Sequence, residues 1–191
     1  MEILGKAIDQ RTQTRVVYAQ MPVDEYLDLV GPNFDEFAIQ RRREKHRGYA
    51  RLKADAEAGA LLPSITLAYD PKLVAPLQEV FDADDKASLM MLLQGEPGKV
   101  SILDGLQRTY ILSEIRNSGK HFKEGQALLV EFWLENDPRN LIYRIIVLNA
   151  GQKPMSMRHQ IEVLFATFKA LLEEEIPQLT LLTERDGTRR V

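Results

Sequence analysis

Cysteine is absent from the 191-residue chain, and so are long uninterrupted apolar runs. A chain without cysteine forms neither disulfides nor thiolate metal sites, which suits a reducing compartment such as the cytoplasm. No stretch approaches the ~18 consecutive apolar residues that a membrane-spanning helix needs. The N-terminal segment also lacks the basic, then apolar, then small-residue order of a signal peptide. We therefore expect a cytoplasmic protein with no membrane partner.

An excess of positive charge is missing too, as is any spacing typical of a metal site. The chain carries 25 lysines and arginines against 28 aspartates and glutamates, a net charge of -3. This balance excludes a general cationic field for nucleic acid, so a polyanion contact must come from a local patch. His46, His121 and His159 lie far apart, which argues against zinc. Nor does the chain show a P-loop, a dinucleotide-binding glycine pattern or a nucleophile–histidine–acid set.

Strand and helix signals alternate along the chain. Short β-branched and apolar runs predict strands at 14–21, 62–70, 99–104 and 125–134. Proline or Asp-Pro starts and glycine stops predict helices at 22–31, 44–58, from Pro71 onward, at 105–119 and from Pro138 onward. The run ASLMMLL (87–93) fits a helix or a strand equally well.

These elements predict an α+β fold, in which a small mixed sheet is flanked by helices and followed by a helical C-terminal extension. We assign one domain to residues 14–178 and interpret 1–13 and 179–191 as loosely ordered tails. The extension contains a helix from Ser156, whose apolar residues fall on one face at helical spacing: Ile161, Leu164, Phe165, Phe168, Leu171 and Leu172. The uncapped end of the chain is consistent with a fragment of a longer protein.

The stretch KVSILDGLQRTYIL (99–112) leads a buried strand through Asp104 and Gly105 directly into a helix. A helix N-terminus in this position gathers unpaired backbone N–H groups and the positive end of the helix dipole, which together bind anions. Gly105 permits close approach, Arg108 offers a planar fork to phosphate oxygens, and Thr109 adds a hydroxyl. Asp104 suits a bound Mg²⁺, a water or a ribose hydroxyl. The alternative is structural: Asp104 caps the helix and Arg108 lies on its surface.

A second segment, LNAGQKPMSMRHQ (148–160), repeats this arrangement. Asn149 ends an apolar helix, a polar loop carries Gln152 and Lys153, and the next helix begins near Ser156. A glycine and a cation thus again precede a helix N-terminus. An ordinary helix–loop–helix connection is the alternative interpretation.

The two segments together resemble the ParB/sulfiredoxin-like domains that carry a DGQHR or DGQQR signature. DGLQR (104–108) is similar to that signature, and N-x-x-Q-K-P-M-S, from Asn149, resembles the second box of the same families. VYAQMPVDEYLDLV (17–30) and QRR (40–42) resemble the opening strand and its glutamine-arginine step more loosely. Such domains occur in DndB-like proteins of DNA phosphorothioate systems and at the N-terminus of GmrSD-type restriction enzymes.

The resemblance implies a ParB/sulfiredoxin-like fold and a nucleotide-binding, NTP-hydrolysing module that works with the proteins of a DNA-modification or restriction defence system. The expected cofactor is an NTP with Mg²⁺. Asp104 and Arg108 would be catalytic, with Asp104 also the metal ligand. The family usually has glutamine where this chain has Leu106, so the resemblance supports binding more than hydrolysis. The expected nucleotide-binding residues are Gly105, Gln107, Arg108, Thr109, Asn149, Gln152, Lys153, Gln40 and Arg41.

The basic run QRRREKHRGYARLK (40–53) supports a second hypothesis, a non-catalytic DNA-binding regulator or adaptor with a degenerate pocket. Arg42, Arg43 and Arg47 would then contact the phosphates of duplex DNA. A solvated helix face is the plainer explanation of the same run. A nuclease is the third hypothesis, and it requires further carboxylates to join Asp104 around a metal.

Overall fold

Five strands form one sheet in the computed structural model, which describes residues 1–34, 47–95 and 97–150, with the backbone alone at Arg47 and at 146–150. The strand order is β1-β2-β5-β3-β4. Only the β3–β5 pairing is parallel, and the other neighbouring strands are antiparallel. The prediction of a mixed sheet in an α+β fold is therefore confirmed. The strands are β1 (Glu2–Ile8), β2 (Arg15–Pro22), β3 (Ile65–Tyr69), β4 (Val100–Asp104) and β5 (Ala127–Leu134).

Six α-helices and one short 3₁₀ turn, Pro71–Leu73, accompany the sheet in the described ranges. Five of these six α-helices begin within about three residues of a predicted helix start, and α4 resolves the ambiguous run at 87–93 in favour of a helix. No helix among the described residues is long and apolar enough to cross a bilayer. The helices are α1 (Val23–Val30), α2 (Arg47–Glu57), α3 (Val74–Asp82), α4 (Lys86–Leu93), α5 (Leu106–Asn117) and α6 (Pro138–Ala150).

Strand β1 occupies a segment for which the sequence predicts a loosely ordered tail. Glu2–Ile8 pairs with β2 along its length, with one irregularity between Ile3 and Gly5. The segment has little apolar pattern of its own, and its order comes from backbone hydrogen bonds to the neighbouring strand. Edge strands of this kind give a weak sequence signal because only one of their faces is partly buried.

The main core lies on one face of the sheet, which we call the helical face. Apolar residues of α1, α3, α4 and α5 pack there against inward residues of the strands, among them Val17, Leu67 and Phe132. The opposite face, which we call the α6 face, has a smaller cluster. Leu141 and Ile145 of α6 pack on residues from four strands: Val16, Ala68, Leu103 and Trp133.

A buried carboxylate anchors the start of α6. Glu135 follows β5 and is only 5% exposed. It accepts hydrogen bonds from the Thr14 hydroxyl, from the Asp137 backbone N–H at 2.8 Å and from the Asn140 side chain at 3.1 Å. Within the described residues no lysine or arginine pairs with it. Glu135 thus ties the β1–β2 turn to the first turn of α6.

Asp85 caps the N-terminus of α4, the helix that the ambiguous run at 87–93 forms. Its side chain accepts hydrogen bonds from the Ser88 backbone N–H at 3.1 Å and from the Ser88 hydroxyl at 2.6 Å, which is an N-cap arrangement. The hydrogen bond from the Ser88 hydroxyl, and to a smaller extent the one from the Ser88 backbone N–H, holds the pKa of Asp85 below its ordinary value.

We expect Asp85→Ala to lower the melting temperature at neutral pH, because α4 loses its cap. A lowered folded-state pKa means that this stabilisation is present above the unfolded-state value of 3.8 and is lost as the pH falls through the folded-state value. The difference between wild type and Asp85→Ala should therefore shrink in thermal melts recorded at progressively more acidic pH. A difference that stays constant down to pH values below both pKa values would contradict the role of the ionised carboxylate.

Candidate functional site

The junction between β4 and α5 has the geometry that the sequence predicts. β4 ends at Asp104, Gly105 has a φ of 105°, and α5 begins at Leu106. A Cβ on Gly105 would lie 2.9 Å from Ile65 Cγ1 and 3.2 Å from Arg108 Nη2. Glycine is therefore required both by the left-handed backbone and by close packing. The side chains of Ile65 and Arg108 fill the space next to Gly105, so these contacts give no support to the prediction that the glycine is there to admit a ligand.

Arg108 folds back from the first turn of α5 onto the end of β4. Its Nη2 donates to Asp104 Oδ2 at 2.5 Å and to the Ser64 carbonyl at 3.0 Å. The two side chains of this ion pair are only 14% and 21% exposed for Arg108 and Asp104 respectively. Among the described residues the buried Nε of Arg108 has no acceptor. Charged hydrogen bonds of this kind are stronger than neutral ones, so the guanidinium is held in one orientation.

The structural alternative for this stretch does not fit these contacts. Gly105 is the N-cap of α5, and within the described residues the Asp104 side chain bonds to Arg108 and to no backbone N–H of the helix. Arg108 lies partly buried between β3 and β4 rather than on the helix surface. The ion pair instead joins the strand end to the helix start.

Ser64 and Glu131, which were not among the predicted site residues, extend the site across the sheet. Thr66 of β3 pairs with Asp104 on one side and with Glu131 of β5 on the other. The Ser64 hydroxyl donates to Glu131 at 3.1 Å, while the Ser64 carbonyl accepts from Arg108. Glu131 was detectable, because it is the one charged residue within the apolar strand ALLVEFWL. Ser64 carries no such signal.

Thr109 faces the core and not the site. It is fully buried, and its hydroxyl donates to the Gly105 carbonyl at 3.1 Å. Tyr26 of α1 lies 2.6 Å from the same hydroxyl and must be the donor, because Thr109 has a single O–H. Burial raises the pKa of the Tyr26 phenol. Thr109 therefore locks α5 to α1, and the geometry gives no support to its predicted contact with a nucleotide.

The remaining predicted residues are described in part or not at all. Gln107 lies partly buried in the first turn of α5. α6, which contains Asn149, contacts β4, but the side chain of Asn149 is not described. The side chain of Arg47 is likewise not described. The other predicted nucleotide and DNA contacts fall outside the described residues: Gln40, Arg41, Arg42, Arg43, Gln152 and Lys153.

The end of the basic run that is described faces α5. Lys53 Nζ lies 2.9 Å from Glu114 Oε1, and the Tyr49 hydroxyl donates to the other oxygen of Glu114 at 2.9 Å. The hydrogen bond that Lys53 donates to Glu114 raises the pKa of Lys53. Lys53 therefore helps to dock α2 on α5, which leaves Arg51 as an exposed cation of the described part of the run.

The donors at the β4–α5 junction fit a Mg²⁺-nucleotide better than a resident cation. Among the described residues no group of three or more histidine, cysteine or acidic side chains is placed to hold a metal. Mg²⁺ in phosphate sites is commonly bound by one or two carboxylates plus phosphate oxygens and water. Asp104 suits that minimal role, while the α5 N-terminus and Arg108 suit the phosphates.

No protein-family model, no curated protein and no solved structure matches the chain. The functional interpretation therefore depends on the geometry of the junction and on the resemblance of its motifs.

Proposed function

We propose that the chain is a nucleotide-binding module of the ParB/sulfiredoxin-like type, with the phosphates at the N-terminus of α5. The observation that carries the proposal is the arrangement of Asp104, Gly105 and Arg108, in which a strand delivers a carboxylate and a glycine to a helix start beside an oriented guanidinium. By the resemblance of its motifs, the module serves a DNA-modification or restriction defence system in the cytoplasm, together with other proteins of that system.

The contacts of Arg108 suggest how the phosphates are held. Both N–H groups of Nη2 are used by Asp104 and Ser64, so the phosphate contact falls to Nη1 and to the first amide groups of α5. Asp104 orients the guanidinium before the ligand arrives, which lowers the entropic cost of binding. A bound Mg²⁺ would neutralise phosphate charge next to the same carboxylate. Hydrolysis is the less supported half of the proposal, because Leu106 offers no polar group.

We expect Arg108→Lys to weaken nucleotide binding by about 1.5–3 kcal/mol, or roughly tenfold to 150-fold, because lysine keeps the charge but loses the oriented fork. Calorimetry with ATP, GTP and CTP plus Mg²⁺ measures this loss. Lysine is preferred to alanine, since Arg108 is mostly buried and its removal would also destabilise the fold. Arg116→Lys is the matched control, because Arg116 lies on the same helix in an exposed pair with Asp28 and should not affect binding.

The same titrations separate the two leading hypotheses. Equal affinities for wild type and Arg108→Lys would remove Arg108 from the binding site. If the wild type binds none of the three nucleotides at millimolar concentration, the junction is structural and the DNA-binding regulator becomes the better proposal. Because Lys53 already pairs with Glu114, duplex binding would then depend on Arg42, Arg43 and Arg47, and reversing these three charges should abolish a salt-sensitive gel shift.

A further inference from the structure

In the described part of the chain, α6 covers the α6 face of the sheet only near the start of β2 and the end of β5. α6 contacts β4 and packs over the cluster that contains Leu103 and Trp133. Toward the other end of β2 and β5, large apolar side chains are exposed to solvent. We call these the bare patch: Leu4 is 52% exposed, Tyr18 41% and Leu129 37%.

The strand register places Tyr18 and Leu129 on the α6 face. Val16 of β2 and Trp133 of β5 are paired and pack under α6, and side chains two residues apart along a strand share a face. Tyr18 follows Val16 at that spacing, and Leu129 precedes Trp133 by four residues. Leu4 lies in the irregularity of β1 next to Gly5, which pairs with Tyr18. The bare patch therefore continues the surface that α6 covers.

The chain itself contains a segment of suitable character and position. α6 ends at Ala150, and the helix predicted from Ser156 carries six apolar residues on one face. A connection of about five residues joins antiparallel neighbouring helices, whose axes lie about 8–10 Å apart. α6 begins beside the β1–β2 turn, packs on Val16, Trp133 and Ala68 and reaches β4, so it crosses the strands and a neighbouring helix is displaced from it along them, by about three residues at ~3.3 Å each. Val16 lies next to the start of β2 and Trp133 next to the end of β5, so over the sheet that displacement leads toward the bare patch.

We propose that residues 156–172 dock their apolar face on the bare patch and complete the second layer of the α6 face. A helix of that length spans about 25 Å, comparable with the width of a five-stranded sheet. Docking would cover both the exposed side chains of the sheet and the apolar stripe of the helix, which otherwise remain in water. The bare patch borders the candidate site, because Tyr18 pairs with Glu131, but the inference does not rest on nucleotide binding.

Disulfide trapping in the full chain tests this proposal, because the chain has no cysteine of its own. Tyr18→Cys is combined in turn with Phe165→Cys and Phe168→Cys on the apolar face of the segment. A disulfide forms only when the two Cα atoms come within about 7 Å. The controls place the second cysteine at Ala166 or Ala170, about half a helical turn away on the opposite face. Circular dichroism of the reduced variants verifies that each one folds.

We expect an intrachain disulfide with Phe165→Cys or Phe168→Cys at low protein concentration, in several-fold excess over the control pairs. The reason is that a docked helix, about 10 Å in diameter with its side chains, holds its opposite face outside disulfide range of Tyr18. In a second control, Met91→Cys takes the place of Tyr18→Cys. Met91 is an exposed residue of α4 on the helical face, so its cysteine should not react with a cysteine in residues 156–172. Equal yields in all pairs, or no disulfide in any pair, would overturn the proposal. Disulfides formed only between two chains would assign the bare patch to a second copy and overturn it as well.

Thermal melts provide a readout that does not depend on cysteine chemistry. Leu129→Lys and Phe168→Lys should each lower the melting temperature, and the double variant should lower it little further, because both remove the same contact. Fully additive effects would contradict docking. Met91→Lys, which introduces the same charge at another exposed apolar position, should leave the melting temperature unchanged.

Discussion

Gly105→Ala should lower the free energy of unfolding by about 2–5 kcal/mol, because two penalties coincide at this residue. A φ of 105° is strained for any residue with a Cβ, and that Cβ would lie 2.9 Å from Ile65 Cγ1 and 3.0 Å from Ile65 Cγ2. Ile65 is itself fully buried at the start of β3 and cannot move aside without opening the core. Urea denaturation of wild type and variant measures the loss.

Gly119→Ala is the matched control for this prediction. Gly119 also has a positive φ, of 76°, but a Cβ there would meet nothing within 4 Å. Its replacement should cost only the backbone strain, about 1–2 kcal/mol. If the two variants lose the same stability, close packing at the junction contributes nothing, and Gly105 would be explained by its backbone conformation alone.

Glu135→Leu should destabilise the protein by about 3–5 kcal/mol, since it leaves three donors without their acceptor. The Thr14 hydroxyl, the Asp137 N–H and the Asn140 amide all converge on this carboxylate, and Thr14 is buried as well. Leucine is close in volume, so the loss reports the hydrogen bonds more than a cavity. Chemical denaturation gives the magnitude, and α6 should separate from the β1–β2 turn first.

Two variants make the Glu135 result interpretable. Glu135→Gln keeps one carbonyl acceptor and the shape of the side chain, so it should lose clearly less stability than Glu135→Leu. Glu25→Leu removes an exposed glutamate that pairs with the N-terminal amine and should change stability little. Equal losses for the leucine and glutamine variants at position 135 would show that charge, and not the number of hydrogen bonds, determines the effect.

The β4–α5 junction could be predicted from the sequence because its signals are local. A β-branched run, an Asp-Gly pair and a series of helix formers follow one another directly, and the structure places the strand end and the helix start where they indicate. The run at 87–93 needed one more local signal. Asp85, three residues before Ser88, is an N-cap pattern that favours the helix over the strand.

The partners of Arg108 could not be predicted because they are distant along the chain. Ser64 precedes it by 44 residues, and Glu131 reaches the same place only because β5 inserts beside β3. The Thr14–Glu135 contact, 121 residues apart, depends on the same sheet order. Strand β1 was not predicted for a related reason, because its extended conformation depends on pairing with β2 and its own residues give little signal. Periodicity reports which face of an element is buried, but not which element covers it.

The position of β5 at the centre of the sheet has a consequence for synthesis. β1 pairs with β2, and β3 with β4, before β5 exists, so the nascent chain first contains two separate antiparallel pairs. Until Leu134 has left the ribosome, the inner edges of β2 and β3 remain open to pairing with other chains. Of the five described strands, the last one made is therefore the one that joins the two halves. A chain terminated before Ala127 would present both open edges permanently, and aggregation rather than partial folding is its expected fate.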